Sequence, residues 1–262
     1  MELLYKNSNT IRLFFFVFLT VFFSILEFYF PLRNKIQTRK SRWLTNYSLL
    51  ILNQLLIKLI IPFSIMEISI LLYKNKLGLL NLFPENFSIV VGFLILDLII
   101  YFQHKFFHLN SFFWKLHKVH HIDFDLDTSS GIRFHPLEIL FSIFIKLFTI
   151  ILFGIHPISV IIFEIVLNSM SLFNHSNLKI PKRLNSILEK IIITPSLHLI
   201  HHSDNKIQTN SNYGFNFVIW DKLFRTYNKS NINQINIGVK GYQKEQYNSI
   251  QKALILPFEN KD

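Results

Sequence analysis

The chain has 262 residues, of which 50% are hydrophobic and 29 are phenylalanine, with a mean hydropathy of +0.34; this excludes a soluble domain of ordinary composition. Its formal charge of +11 would suit a nucleic-acid binder, but the basic residues are spread through loops and asparagine-rich tails without a nucleic-acid motif, and a cytoplasm-facing membrane surface accounts for them. There is no cysteine, so disulfides, thiolate ligands and iron–sulfur clusters are excluded, and any metal is held by nitrogen and oxygen.

The first apolar stretch, 13–30, is close to the roughly 20 residues that span a bilayer. Its length and the lack of a small-residue cleavage site argue against a removed signal peptide. A basic loop follows, with Arg33, Lys35, Arg39, Lys40 and Arg42, and the positive-inside tendency places it in the cytoplasm. The second stretch, 47–73, carries Lys58 and Pro62 and is long enough to cross with a kink or tilt. The third, 87–107, then runs back toward the cytoplasm and ends in His104 and His108.

Runs 137–153 and 158–173 are separated only by Gly154, Ile155, His156 and Pro157, a tight break that predicts a helical hairpin entering the membrane and returning. Residues 174–262 are polar enough for a cytosolic cap that ends in a polar tail over 231–262. No repeat or second domain is visible. The expected fold is all-α: a multi-span membrane bundle of three spans plus the hairpin 137–173, with a histidine-rich cytosolic cap. Its transmembrane helices lie in 1–96 and its histidine motifs in 97–230. Phenylalanine-rich stripes are expected to face lipid or core.

Ten of the 11 histidines fall into five groups: His104 with His108, His117 with His120 and His121, His135, His175, and His198 with His201 and His202. Neutral imidazole is the commonest metal-binding side chain, and residues three or four apart on a helix lie about 5 to 6 Å apart on one face, so each group can aim its nitrogens at one point. Counting through the spans brings every group to the cytoplasmic side, which is what a single metal site requires. His156, at the hairpin tip, sits roughly 25 Å away by helical rise and is excluded. Asp97 lies two turns before His104 on the same face and is expected to accept a ring N–H from a ligating histidine, or else to make a helix–helix contact. His135 is either a ligand or a helix-entry residue. Only Lys58 and Asp97 are expected deep in the spans, which disfavours a polyhistidine metal transporter, the alternative from another class.

Several segments carry a resemblance. Gln103-His104-Lys105-Phe106-Phe107-His108, Trp114-Lys115-Leu116-His117-Lys118-Val119-His120-His121, Arg133-Phe134-His135-Pro136-Leu137-Glu138, Asn174-His175-Ser176-Asn177, Thr194-Pro195-Ser196-Leu197-His198-Leu199-Ile200-His201-His202-Ser203 and Asn212-Tyr213-Gly214 through Trp220-Asp221 to Tyr227 occur in unbroken order. Together they resemble the fatty acid hydroxylase/sterol desaturase superfamily, particularly its bacterial sterol desaturase-like members. The resemblance covers about 97–227; the two N-terminal spans match only in being apolar.

The resemblance implies a non-haem diiron oxygenase that uses O2 to hydroxylate or desaturate a sterol-like or acyl lipid, with an ether-lipid monooxygenase as the runner-up within the same superfamily. The implied ligands of the two irons are His104, His108, His117, His120, His121, His175, His198, His201 and His202, with His135 less secure, and Asp97, Arg133 and Glu138 are expected around them. Zinc would readily occupy such nitrogen sites in preparations. Some relatives have a histidine where this chain has Ser171, and many have a glycine where it has Arg225. The chain shows no Gly-rich dinucleotide loop after a strand and no room for a haem domain. Electrons are therefore expected from a separate donor, a cytochrome or a ferredoxin with its reductase, docking on the basic face.

Overall fold

The computed structural model describes residues 5, 7–61 and 63–259. Among the described residues there are helices and no strands. Helices α1 (Ser8–Tyr29), α2 (Arg39–Ile60), α4 (Glu85–Leu109), α6 (Pro136–Phe153) and α7 (Pro157–His175) are the five long and apolar enough to cross a membrane. Between and after them come α3 (Ile65–Lys74), α5 (Ser111–His121), α8 (Lys182–Leu188), α9 (Pro195–His201), α10 (Lys206–Thr209), α11 (Ile219–Leu223) and α12 (Ile250–Ile255).

Between Arg12 and Glu27 no charge interrupts α1, and its phenylalanines four apart stack in a file, with Phe14–Phe18 and Phe18–Phe22 centroids both 6.0 Å apart. The outer face of this helix carries Leu13, Phe14, Phe18 and Val21, all more than half exposed, an apolar stripe suited to lipid. Its inner face packs along α7.

Two sequence expectations change here. Arg39, Lys40 and Arg42 belong to the first turn of α2, not to a loop, and Arg42 is fully buried. The reason is ionic: Arg42 donates a fork of hydrogen bonds to both oxygens of Asp123 at 2.8 Å and one to Asp127 at 2.6 Å, so a buried cation has its charge met. Burial pushes the Asp123 and Asp127 carboxyls up, but Arg42 outweighs it and holds both below the usual carboxylate range, with Lys35 helping at Asp127. The stretch 47–73 is two helices, because α2 stops at Ile60 and Ser64 restarts the chain with a capping box to Glu67. Pro62 lies outside the described residues. Ser69 on α3 then donates to the carbonyl of Ile155 at the hairpin tip, 2.6 Å away.

The hairpin forms as expected. Both arms begin with the same pair, His135-Pro136 and His156-Pro157, in which each histidine Nδ1 caps the backbone N–H two residues on, at 3.2 Å. Gly154 closes α6 in the left-handed region at φ 63°, and an added Cβ would stand 2.2 Å from the Leu77 carbonyl oxygen. Leu80, Leu96, Ile100, Ile150, Val160 and Phe163 form the core between the spans.

At the opposite end the cap is assembled. The segment expected as a polar tail packs under α5: Tyr247, Ala253 and Leu256 are buried against Leu49, Val119 and Ile122.

Candidate metal centre

His104 and His108 sit one turn apart on α4. Asn110 then caps α5 by accepting from the N–H groups of Phe112 and Phe113, which turns the chain so that α5 lays His117, His120 and His121 back against α4. His175 ends α7, and α9 supplies His198 and His201 with His202 at its C-terminal cap. None of these nine is more than 8% exposed. Their ring nitrogens fall into two groups, each within 4.8 Å: His104, His108, His117, His121 and His201 in one, His120, His175, His198 and His202 in the other. The groups abut, with the His121 and His202 rings stacked at 4.3 Å.

Helix geometry explains the split and corrects the expectation that each histidine cluster serves a single point. Residues four apart share a face, so His104 with His108, His117 with His121 and His198 with His202 each stay in one group. Adjacent residues diverge by about 100°, so His120 and His201 cross over to the other group.

Five rings are oriented through Nδ1. Its N–H donates to the carbonyls of Tyr213 from His104 (2.7 Å), Arg133 from His120 (3.1 Å), Ser171 from His175 (2.7 Å) and Ser211 from His201 (2.8 Å), and to Glu138 Oε1 from His117 (2.6 Å). A carbonyl oxygen brings no proton, so Nδ1 must be the protonated nitrogen and Nε2 carries the lone pair. The Nε2 atoms of His120 and His175 nevertheless stand 2.9 Å apart, lone pair against lone pair. A shared proton is not an easy remedy, because burial, reinforced by neighbouring histidines, pushes His120, His121, His198, His201 and His202 well below the usual imidazole value, and burial pushes His117 down to about 3.

A cation between the nitrogens resolves the repulsion. Ligands about 2.1 Å from a common ion lie about 3.0 to 3.4 Å apart at octahedral to tetrahedral angles. The successive Nε2 separations along His120, His175, His198 and His202 are 2.9, 2.9 and 3.2 Å. Both ring nitrogens of His121 and Nε2 of His201 are buried without a hydrogen-bond partner, which is costly unless they ligate. The two groups therefore fit metal ions of the first transition row.

The surrounding residues differ in part from expectation. Asp97 takes no histidine N–H; its carboxylate accepts from Asn216 Nδ2 (2.8 Å) and Trp220 Nε1 (2.7 Å). Asp221 fixes the same loop by accepting from the N–H groups of Tyr213 (2.8 Å) and Gly214 (2.9 Å). The two acids hold the loop whose Ser211 and Tyr213 carbonyls orient His201 and His104. Main-chain acceptors leave no mark in a sequence, so their role was invisible there. Arg133 is fully buried and clamps α5 through Val119 O (2.9 Å), α2 through Asn46 (2.9 Å) and the C-terminal segment through Tyr247 O (3.0 Å). His135 stands outside both groups: Nδ1 caps α6 and Nε2 donates to the Leu254 carbonyl at 3.3 Å, which uses both nitrogens. The recurring His-Pro pair was the available signal, since His156 uses it identically at the tip. Ser171 offers a carbonyl to His175 and its hydroxyl to Gly131, so at this position the chain contributes orientation. Arg225 has φ 58°, the left-handed region that glycine occupies freely.

Beneath His104 and His117 a cavity of about 180 Å³ opens between α2, α4, α6 and α7. Ile100, Phe107, Phe134, Ile139, Leu167 and Phe215 give it apolar walls. Lys146 also lines it, and an Arg12–Glu164 ion pair (2.7 Å) joins α1 to α7, so the spans hold more ionisable groups than Lys58 and Asp97.

The family model described as fatty acid hydroxylase matches residues 89–226. Curated relatives include ornithine lipid hydroxylase of Rhizobium tropici, 32% identical over 160 residues, covering 60% of this chain and 47% of that protein. Human alkylglycerol monooxygenase is 31% identical over 144 residues, covering 53% of this chain and 30% of that protein. Human lathosterol oxidase is 27% identical over 144 residues, covering 55% of this chain and 46% of that protein. The matched region thus spans half or less of each of these relatives. No solved structure matches significantly. With its motifs in order and its nine histidines gathered into two groups that could each hold a metal ion, the chain belongs to the fatty acid hydroxylase family.

Proposed function

We propose that this protein is a membrane-bound oxygenase that holds two iron ions in its histidine groups and hydroxylates or desaturates a lipid with O2 and externally supplied electrons. The observation that carries it is the cavity with largely apolar walls that ends on His104 and His117, against the histidine groups and between helices suited to a bilayer. The names of the relatives, a lipid hydroxylase, a monooxygenase and a sterol oxidase, support the same class of reaction. An ether lipid is the second substrate reading, supported by the likeness to alkylglycerol monooxygenase.

With iron bound, the centre would supply O2 activation: hydroxylation consumes O2, two electrons and two protons to give an alcohol and water, whereas desaturation consumes the same to give an alkene and two waters. The chain's own residues position and shield. Carbonyls of Ser171, Tyr213, Arg133 and Ser211, with Glu138, keep five Nδ1 protons outward and the Nε2 lone pairs inward. Phe107, Phe134 and Phe215 wall the cavity with carbon beside His104 and His117, where a lipid C–H bond would lie against them. The lipid enters sideways from the bilayer. Without cysteine the chain has no iron–sulfur relay, and a cytochrome or a ferredoxin with its reductase delivers electrons at the basic, cytoplasm-facing cap.

Lipid mass spectrometry of cells with and without the gene tests the reaction. A species shifted by one added oxygen or by two lost hydrogens, dependent on O2 and on His120, is expected. An unchanged lipidome from cells making the iron-loaded protein would overturn the proposal.

A further inference from the structure

The cap does not stop where the spans end. Asn216 and Trp220 reach down to Asp97, which is 12 residues, about 18 Å of helix, from the start of α4 at Glu85. Phe224 packs on Tyr101 and Phe102, with centroids 5.4 and 4.8 Å apart, and Phe217 meets Phe93 at 6.1 Å. A hydrocarbon core about 30 Å thick, counted from Glu85, covers all four of these α4 positions. The segment 216–224, with α11 in it, therefore lies at bilayer depth although it is far too short to cross.

The end of α8 is tied to that segment. The Val218 N–H donates to the Ile191 carbonyl at 3.0 Å, the Ile193 N–H to Asn216 at 3.1 Å, and Lys222 Nζ to the Lys190 carbonyl at 3.0 Å. The N–H groups of Lys222 and Phe224 are paired within the segment as well, at 3.1 and 2.8 Å. Irregular backbone is tolerated beside hydrocarbon on that condition.

The joint outer face is greasy and basic. Leu184, Ile187, Ile191, Ile219 and Leu223 are between 48% and 63% exposed, and α8 buries no residue at all. Lys182, Arg183, Lys190, Lys222 and Arg225 are exposed among them. The two acids of the same stretches, Glu189 and Asp221, are buried and engaged, Glu189 by Lys229 at 2.7 Å and Asp221 by the N–H groups of Tyr213 and Gly214. The face is continuous with exposed Phe102 and Phe106 on α4. Branched aliphatic side chains beside long basic stems, with no exposed acid, complement the boundary of an anionic leaflet: the first enter the acyl chains and the second extend to the phosphates. A water-borne partner would have to descend to the depth of Asp97 to cover Ile219 and Leu223.

We propose that the α8–α11 face is a binding site for anionic lipid head groups, seated in the bilayer with its isoleucines and leucines among the acyl chains and with Arg183 and Lys190 on the phosphates. This rests on the reading of α4 as a membrane span.

Because the chain has no cysteine, single cysteines at Ile187, Ile191, Ile219 and Leu223 can each carry a nitroxide label in the full-length protein. The labelled proteins are reconstituted in vesicles of phosphatidylcholine mixed with phosphatidylglycerol. The four labels are expected to be relaxed by dissolved O2 and shielded from a water-soluble nickel chelate, as a label at Phe102 is, whereas a label at exposed Asn233 is open to nickel. Lipid that stays with the protein through detergent extraction should be enriched in phosphatidylglycerol over the vesicles. Arg183→Gln and Lys190→Gln should each lower that enrichment by up to about fivefold, the worth of one basic side chain at an anionic surface. Four labels as open to nickel as Asn233, with Phe102 shielded, would put the face in water, give it to a partner protein and overturn the proposal. Retained lipid of the vesicles' own composition, or an enrichment that both glutamine variants keep, would overturn it too. A Phe102 label open to nickel would defeat the reading of α4 as a span, and the proposal with it.

Discussion

His201 and His202 are consecutive in the chain, yet their rings stand at 84° to each other and belong to different ligand groups. His120 and His121 are divided in the same way, at 82°. Two short helices thereby feed two sites, and the sites abut because each helix supplies both.

The division predicts separable metal losses. His201→Ala should weaken the five-histidine group and leave the other loaded, whereas His120→Ala should reduce the four-histidine group to three donors and lose its ion more completely. Elemental analysis should give two ions per chain for the unaltered protein and about one for His120→Ala. Finding one ion or fewer in the unaltered, metal-replete protein would refute a dinuclear centre.

His135→Ala and His156→Ala should leave metal content unchanged. Each removes a helix N-cap, a cost of about 1 kcal/mol, so thermal stability falls slightly, and Asn at either position should restore most of it. Metal loss in His135→Ala equal to that in His120→Ala would contradict its placement as a cap.

Glu138→Ala removes the carboxylate that holds Nδ1 of His117 at 2.6 Å. Metal affinity should drop by about 10- to 100-fold, the usual effect of losing a group that orients a ligating histidine. Competition with a chelator measures it, and an unaltered affinity would show that the bond does no orienting.

Low pH should unfold the metal-free protein. Burial depresses the folded-state values of His117, to about 3, and of His120, His121, His198, His201 and His202. Below the ordinary value of about 6.5 the unfolded chain therefore binds more protons than the folded one. The stability these groups contribute is complete above about 6.5 and declines as pH falls toward about 3. Melting of the chelator-treated protein should move down steadily between pH 7 and pH 5; a melting point that rises on acidification would reverse the sign and refute the argument.

Arg42→Met should be severely destabilising although Arg42 lies outside the family match. It leaves Asp123 and Asp127 buried with their main counter-charge gone, a loss of about 3 to 5 kcal/mol. Arg225→Gly should instead stabilise by about 1 kcal/mol by releasing a left-handed residue. Thermal unfolding in detergent checks both directions.

By itself the sequence determined the class of protein and pointed to the nine histidines that the fold gathers. Spans of bilayer length, a Gly–Pro break and i, i+4 histidine pairs are local signals, carried by hydropathy and helical period, and the hairpin and nine buried histidines follow from them. Only the tertiary structure decided which histidine joins which group, because that depends on how α4, α5, α7 and α9 are turned about their axes when packed. It also paired Asp97 with Asn216 and Trp220 in place of the histidine N–H expected for it, and took Arg42 from a basic loop into the buried cap. Their partners lie more than 75 residues away in the chain, and the groups that orient His104 and His201 are main-chain carbonyls, identical in every residue type until a fold chooses among them.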